Sequence, residues 1–182
     1  MLTGGKSERM GRDKALIPIN GVPMAKRVAR ALERAGADTV TCVGGDVVAL
    51  RGLGLVVVAD EWEGTGPLGG VISSLDATSA SLSLVAPCDL LDPDPNSLHK
   101  LVLALRHTDD AMVAVPLVGG VWRPLPAAIR IGCRPQLLQA FVAGERAVHR
   151  AMARLERVEV AAGPFADVDT PDDLPGGLQD GR

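Results

Sequence analysis

The residues best equipped for chemistry crowd the start of the chain, Leu2-Thr3-Gly4-Gly5-Lys6-Ser7-Glu8-Arg9-Met10-Gly11-Arg12-Asp13-Lys14. Three glycines, with no bulky side chain beside Gly4 and Gly5, let a backbone curl until its N–H groups face inward. Such a nest binds anions. Lys6, Arg9 and Lys14 put three cations within reach of the same loop. Backbone donors together with cations are what a triphosphate needs. The plain alternative is a glycine-rich, charged N-terminal tail.

Spacing excludes two familiar phosphate loops. A Walker A loop ends in Gly-Lys followed by a hydroxyl residue, whereas Gly11 is followed by Arg12-Asp13-Lys14. The dinucleotide fingerprint G-x-G-x-x-G is not spelled here either.

Acidic residues recur just beyond apolar runs. Asp60 follows the run 55–59, and Asp89 follows 82–86 in the sequence Pro87-Cys88-Asp89. An Asp in that setting either holds Mg²⁺ by one oxygen, the metal keeping waters and phosphate oxygens, or caps the turn before Pro93. Residue physics favours neither reading. Near the other end, Asp167 and Asp169 are two apart, so on an extended segment they point the same way. They can serve a metal, orient a second substrate, or cap a helix starting at Pro171.

Composition narrows the field. The chain has 182 residues, the size of one α/β domain, and 47% of them are hydrophobic. Tyr is absent and aromatics are 2%. The core must therefore be aliphatic, and the stacking platforms of single-strand nucleic-acid binders are lacking. A net charge of −3 also argues against a nucleic-acid partner. Cys42, Cys88 and Cys133 form no C-x-x-C pair, so neither a disulfide framework nor a zinc site is expected. With no long apolar run and no signal peptide, no membrane partner and a cytoplasmic location are expected.

The elements that must position these residues alternate. After the turn Asn20-Gly21, Met24, Val28, Ala31, Leu32 and Ala35 recur at helical spacing up to Gly36. Strands are predicted at 39–43, 55–59, 82–86, 111–115, 127–131 and 158–160. Further helices are predicted after the second glycine loop (Gly64 to Gly70), from Pro95, over 135–143 and from Gly144. This pattern predicts an α/β fold of three layers, Rossmann-like, with a mostly parallel sheet and helices on both faces. Ligands of such sheets bind beyond the carboxyl ends of the strands. A single domain over 1–174 is expected, with a disordered tail over 175–182. His99, His107 and His149 read as surface or core residues, Trp62 and Trp122 as packing residues in loops, and Cys88 as a buried small hydrophobe.

The opening stretch resembles the signature L-x-G-G-x-S-x-R-M-G-x-D-K. It opens the sugar-nucleotidyltransferase-like superfamily (the nucleotide-diphospho-sugar transferase fold), and within that the molybdenum cofactor guanylyltransferase family. The resemblance runs from Leu2 to Leu174 and includes Gly66-Pro67-Leu68, Pro87-Cys88-Asp89 and Asp167-Val168-Asp169-Thr170-Pro171. That family has a buried strand ahead of its glycine loop, so only a stub of that strand, or a start upstream, is expected at Met1.

The resemblance implies a Mg²⁺-dependent transfer of GMP from GTP to the phosphate of molybdopterin, with release of pyrophosphate. It implies nucleotide contacts at Leu2, Thr3, Gly4, Gly5, Lys14, Asp60 and Asp89, with Arg9, Lys14 and Asp89 catalytic. Asp89 and Asp169 would hold the metal. Gly66, Pro67, Leu68, Arg146 and Asp167 would lie on the acceptor side. Molybdoenzyme maturation proteins are a further partner class it leaves open. Where some members carry an Asn, Gly44 stands here, which leaves base or ribose recognition open. The alternatives are a CTP-dependent enzyme, a transferase acting on another phosphate acceptor, and a non-catalytic nucleotide-binding module.

Overall fold

The computed structural model describes residues 1–4, 13–168 and 173. The proposed disordered tail, Arg9, Gly5 and Asp169 lie outside them.

The strands are β1 (Pro18–Ile19), β2 (Val22–Pro23), β3 (Thr41–Val43), β4 (Val56–Val58), β5 (Leu82–Val85), β6 (Val113–Val118), β7 (Val121–Trp122), β8 (Ala127–Arg130) and β9 (Arg157–Ala161). The helices are α1 (Met24–Arg34), α2 (Val47–Gly52), α3 (Pro67–Asp76), α4 (Pro95–Arg106), α5 (Arg134–Val142) and α6 (Val148–Met152).

β3 and β4 pair in parallel. β8 lies between β5 and β6, antiparallel to both, and β9 runs parallel to β6. Residues 1–3 join these groups. Leu2 bridges Val43 on one side and Pro87 on the other, both in parallel. Its N–H donates to the Ala86 carbonyl at 2.9 Å, and its own carbonyl accepts from the Cys88 N–H at 3.0 Å. The central sheet is thus an α/β sheet whose strands share one direction except β7 and β8. The reversal follows from chain length. β6 turns through Gly119-Gly120 (φ +59° and +77°) into β7 and returns as β8. A connection that short makes hairpins, whereas a parallel return needs a crossover of a dozen or more residues.

Alternation along the strands puts apolar side chains on both faces. Val113, Val115 and Ile129 pack with Leu68, Ile72, Leu137 and Met152, from α3, α5 and α6. Ala114 and Ala128, one step along, pack with Leu101 and Leu105 of α4. A third cluster seats α1 against Cys42, Val57 and Leu98. The aliphatic core expected from composition is what fills these layers. Among the described residues no helix is long and apolar enough to cross a membrane.

Helix starts follow their sequence signals. Asp94 accepts from the N–H groups of Asn96 and Ser97 and from the Ser97 hydroxyl at 2.7 Å, with Pro95 in the first turn. The Ser97 hydroxyl bond, with these backbone bonds, lowers the Asp94 pKa. The helix α2 has no counterpart in the sequence reading. Asp46 caps it by accepting from the Ala49 N–H at 2.9 Å.

Candidate active site

The carboxyl ends of β3, β4 and β5 and residues 2–4 surround one cleft, lined by Thr3, Gly4, Lys14, Asp60, Gly66 and Asp89 among others. Its architecture begins with Thr3, which is buried. The Thr3 hydroxyl donates to the Gly44 carbonyl at 2.7 Å. The N–H groups of Thr3 and Gly4 both donate to the Val43 carbonyl, at 3.1 and 3.0 Å. The N–H of Gly4 is therefore spent on β3 and does not face an anion, a correction to the inward-facing nest expected at that residue.

Gly44 and Gly45 let three segments converge. Both have positive φ, +71° and +83°. A Cβ on Gly44 would stand 3.2 Å from Gly4 Cα and 3.3 Å from Asp60 Cβ, and one on Gly45 would stand 2.8 Å from the Thr3 carbonyl oxygen. Only glycine meets both demands, the left-handed backbone and the close approach. Gly44, where an Asn was the alternative, thus serves contact between the N-terminal segment and Asp60.

Lys14 and Asp89 meet in the cleft. Lys14 Nζ lies 3.1 Å from Asp89 Oδ2, with about a fifth of each side chain exposed. Lys14 is held there by a short helical turn over residues 14–16, which Asp13 caps by accepting from the Ala15 N–H at 2.9 Å. Asp89 is fixed through its backbone. Its carbonyl accepts from the Val168 N–H at 2.9 Å, and the Leu91 N–H donates to Ala166 at 2.8 Å. The segment 166–168 is therefore laced to the one that carries Asp89, although 78 positions separate Val168 from Leu90. Asp167 bridges Leu90 through the backbone, and its side chain is exposed.

Asp60 is half-buried at the end of β4. Its Oδ1 accepts from the Ser73 hydroxyl at 2.7 Å and from the Trp62 N–H at 3.0 Å. The turn 60–65 can settle onto α3 because Gly69 has no side chain: a Cβ there would stand 2.5 Å from Trp62 Cβ. Trp62 in turn meets Phe141 edge to face, with centroids 4.9 Å apart.

The glycine loop expected over 64–70 ends at Gly66, the residue before α3, and Pro67 to Gly70 form the first turn of that helix, beside Arg146. The Leu68 N–H donates to the Arg146 carbonyl at 3.2 Å, and a Cβ on Gly66 would stand 3.1 Å from Arg146 Cβ. Gly66 and Pro67 line the cleft, whereas Leu68 is buried in the core. The Arg146 guanidinium stacks on Phe141 at 4.1 Å and donates to the Phe141 and Glu145 carbonyls. Glu145, beside it, is held down to about 2 by the Arg150 side chain first, and then by the backbone N–H groups of Ala147 and Arg146.

Cys88 is buried, and burial foremost, with the Asp89 charge next, pushes its thiol above the ordinary range. It behaves as a small hydrophobe, not a nucleophile. His99 and His107 donate to backbone carbonyls of Ala35 and Leu103 at 2.8 Å, away from the cleft. Trp122 lies on β7, under the Arg157 guanidinium at 4.9 Å. The sequence reading did not single out Asp13, Glu63 or Leu125 as cleft residues. Asp13 lies inside the opening motif and was legible in principle; Leu125 carries no local signal.

Residues 1–159 match the model of the MobA-like NTP transferase domain. The chain belongs to the MobA-like NTP transferase family. Similar members are a molybdenum cofactor guanylyltransferase of Pseudomonas putida and a probable molybdenum cofactor guanylyltransferase of Pelotomaculum thermopropionicum. The first is 33% identical over 157 residues, covering 85% of this chain and 81% of that one. The second is 31% identical over 187 residues, covering 96% and 88%. Among solved structures, molybdopterin-guanine dinucleotide biosynthesis protein A from Archaeoglobus fulgidus has a similar fold. Its TM-score is 0.76 at 21% identity, with 95% of this chain and 92% of that one covered. The MobA-like assignment agrees with the opening motif, with a three-layer α/β fold, and with a cleft at the strands' carboxyl ends.

Proposed function

We propose that this chain transfers GMP from GTP to the phosphate of molybdopterin, releasing pyrophosphate. The observation that carries the reading is the meeting of Lys14, Asp60 and Asp89 with residues 2–4 in one cleft. Membership of the MobA-like family and relatives of that activity support it.

An acceptor phosphate oxygen attacks the α-phosphorus. The new P–O bond forms as the bond from the α-phosphorus to the oxygen bridging it to the β-phosphorus breaks, and pyrophosphate leaves with that electron pair. The nucleophile is already anionic, so the chain need not supply a general base. Its task is positioning and charge neutralisation. Lys14 supplies a cation at the cleft, and Arg9, outside the described residues, a second. Thr3 and Gly4, tied to β3, form the floor beneath the nucleotide. Asp60 takes a donor of the nucleoside. Gly66, Pro67, Arg146 and Asp167 stand on the acceptor side, with Leu68 anchoring the start of α3 in the core.

Asp89 fits a Mg²⁺ ion. Its carboxylate is partly exposed in the cleft and already attracts a cation, the Lys14 ammonium. Mg²⁺ is commonly held by only one or two carboxylates, with waters and phosphate oxygens completing its shell. Asp169 is proposed as the second carboxylate, since Val168 is bonded to Asp89. When bound, the ion would neutralise charge on the triphosphate.

The test is pyrophosphate release on mixing the chain with GTP, Mg²⁺ and molybdopterin, run in parallel with CTP. Turnover with GTP supports the reading. Turnover with CTP alone, or nucleotide binding without turnover, would replace it by one of the alternatives.

A further inference from the structure

Two adjacent serines on α3 spend their hydroxyls differently. Ser74 donates to the Val71 carbonyl of its own helix at 2.6 Å, the habit of a serine inside a helix. Ser73 leaves the helix. It is 3% exposed, and its hydroxyl donates to Asp60 Oδ1 at 2.7 Å while its oxygen accepts from the Glu61 N–H at 3.2 Å. Alanine would suit a helix interior better by up to about 0.7 kcal/mol, so helix formation does not account for a serine here.

The consequence falls on Asp60. The Trp62 N–H also donates to Oδ1. With two donors on one oxygen, the carboxylate plane is fixed. Among the described residues no donor reaches Oδ2, which lies 3.6 Å from where a Cβ on Gly70 would stand. Asp60 and Gly70 both line the cleft.

We propose that Ser73 is a positioning residue that locks Asp60 so that Oδ2 meets a hydrogen-bond donor of the bound nucleoside. This rests on the nucleotide reading of the cleft. An ionised carboxylate only accepts, so its partner is an N–H of the base or a hydroxyl of the ribose. Guanine offers two adjacent donors on its pairing edge, whereas adenine opposes a carboxylate with a ring-nitrogen acceptor.

The test is calorimetric titration of the full chain and of Ser73→Ala and Ser73→Thr with GTP, ATP, 2′-deoxy-GTP, inosine triphosphate and tripolyphosphate. Ser73→Ala is expected to weaken GTP binding about tenfold, the loss of one hydrogen bond to a charged group. If the donor is on the base, its GTP-over-ATP preference is expected to fall, and if it is on the ribose, GTP and ATP are expected to lose equally, with tripolyphosphate binding unchanged in both cases. Ser73→Thr keeps the hydroxyl and is expected to restore GTP affinity. A deficit for 2′-deoxy-GTP in the unmodified chain assigns the donor to the ribose, and one for inosine triphosphate assigns it to the base amine. Equal GTP affinity in Ser73→Ala, or an equal loss for tripolyphosphate, would overturn the proposal while leaving the nucleotide reading in place. An unmodified chain that binds no nucleotide would overturn both. Ser73→Cys, with similar volume and a weaker donor, serves if the alanine variant does not fold, and is expected to show a smaller loss of GTP affinity, again with tripolyphosphate binding unchanged.

Discussion

Lys14 Nζ lies 3.1 Å from Asp89 Oδ2, across 75 positions of chain. One residue ends the opening motif and the other lies four positions past β5, and the sheet brings them together because Leu2 bridges Val43 of β3 and Pro87 just beyond β5. Under the proposed function, a metal ion and an anionic ligand would take the place of this ammonium–carboxylate pair.

Replacing Asp89 by alanine is expected to cut pyrophosphate release at least about a hundredfold, as loss of a group that stabilises transition-state charge does. The fold should persist, because Asp89 is tied to Val168 through its backbone carbonyl, which the variant keeps. Turnover assays beside circular-dichroism melts check this. Normal turnover with Mg²⁺ would remove Asp89 from the mechanism.

Lys14→Met is expected to weaken GTP binding about tenfold, of the order of a charge-assisted bond, and to leave guanosine binding nearly unchanged. The variant leaves Asp89 without its ammonium in a site only about a fifth exposed, so a stability loss of about 1–3 kcal/mol is expected. Equal losses for GTP and guanosine would make Lys14 structural.

Much of this site was legible before the fold was known. The opening motif is long and specific, Asp60 and Asp89 both follow apolar runs, and strand ends are where open α/β sheets bind ligands. What was not legible depends on tertiary contact. The reversal of β7 and β8 is set by the tight Gly119-Gly120 turn out of β6. The helix α2 has six residues and opens with two β-branched valines, a weak helical signal. The role of Ser73 lies in a contact 13 positions away. The Gly4 N–H looked free because sequence does not reveal that the Val43 carbonyl takes it.

Gly45→Ala tests that convergence. The new Cβ would meet the Thr3 carbonyl at 2.8 Å in a backbone of φ +83°. It is expected to cost about 1–3 kcal/mol, lowering the melting temperature by about 2–4 °C for each kcal/mol. Urea unfolding measures it; an unchanged midpoint would mean the segment 2–4 has room to move.

The three cysteines should be silent in the folded chain. All are buried, and burial is the leading cause that raises each thiol, Cys133 from 9.0 to about 11. Ellman's reagent at pH 8 is expected to find no thiol in the native protein and three in guanidinium. The folded thiols keep their protons where the unfolded ones lose theirs. Stability from Cys133 is therefore full below pH 9.0 and falls as pH rises toward about 11. Rapid labelling of one native cysteine would contradict this.

The most direct measurement is a structure of the full chain with GTP and Mg²⁺. The account predicts the nucleotide resting on residues 2–4 with Lys14 on its phosphates. It also predicts the metal on Asp89 with Lys14 drawn away from it, and the nucleoside reaching Asp60 Oδ2. A nucleotide bound elsewhere, or one in the cleft with the Lys14–Asp89 pair intact and no metal at Asp89, would contradict it.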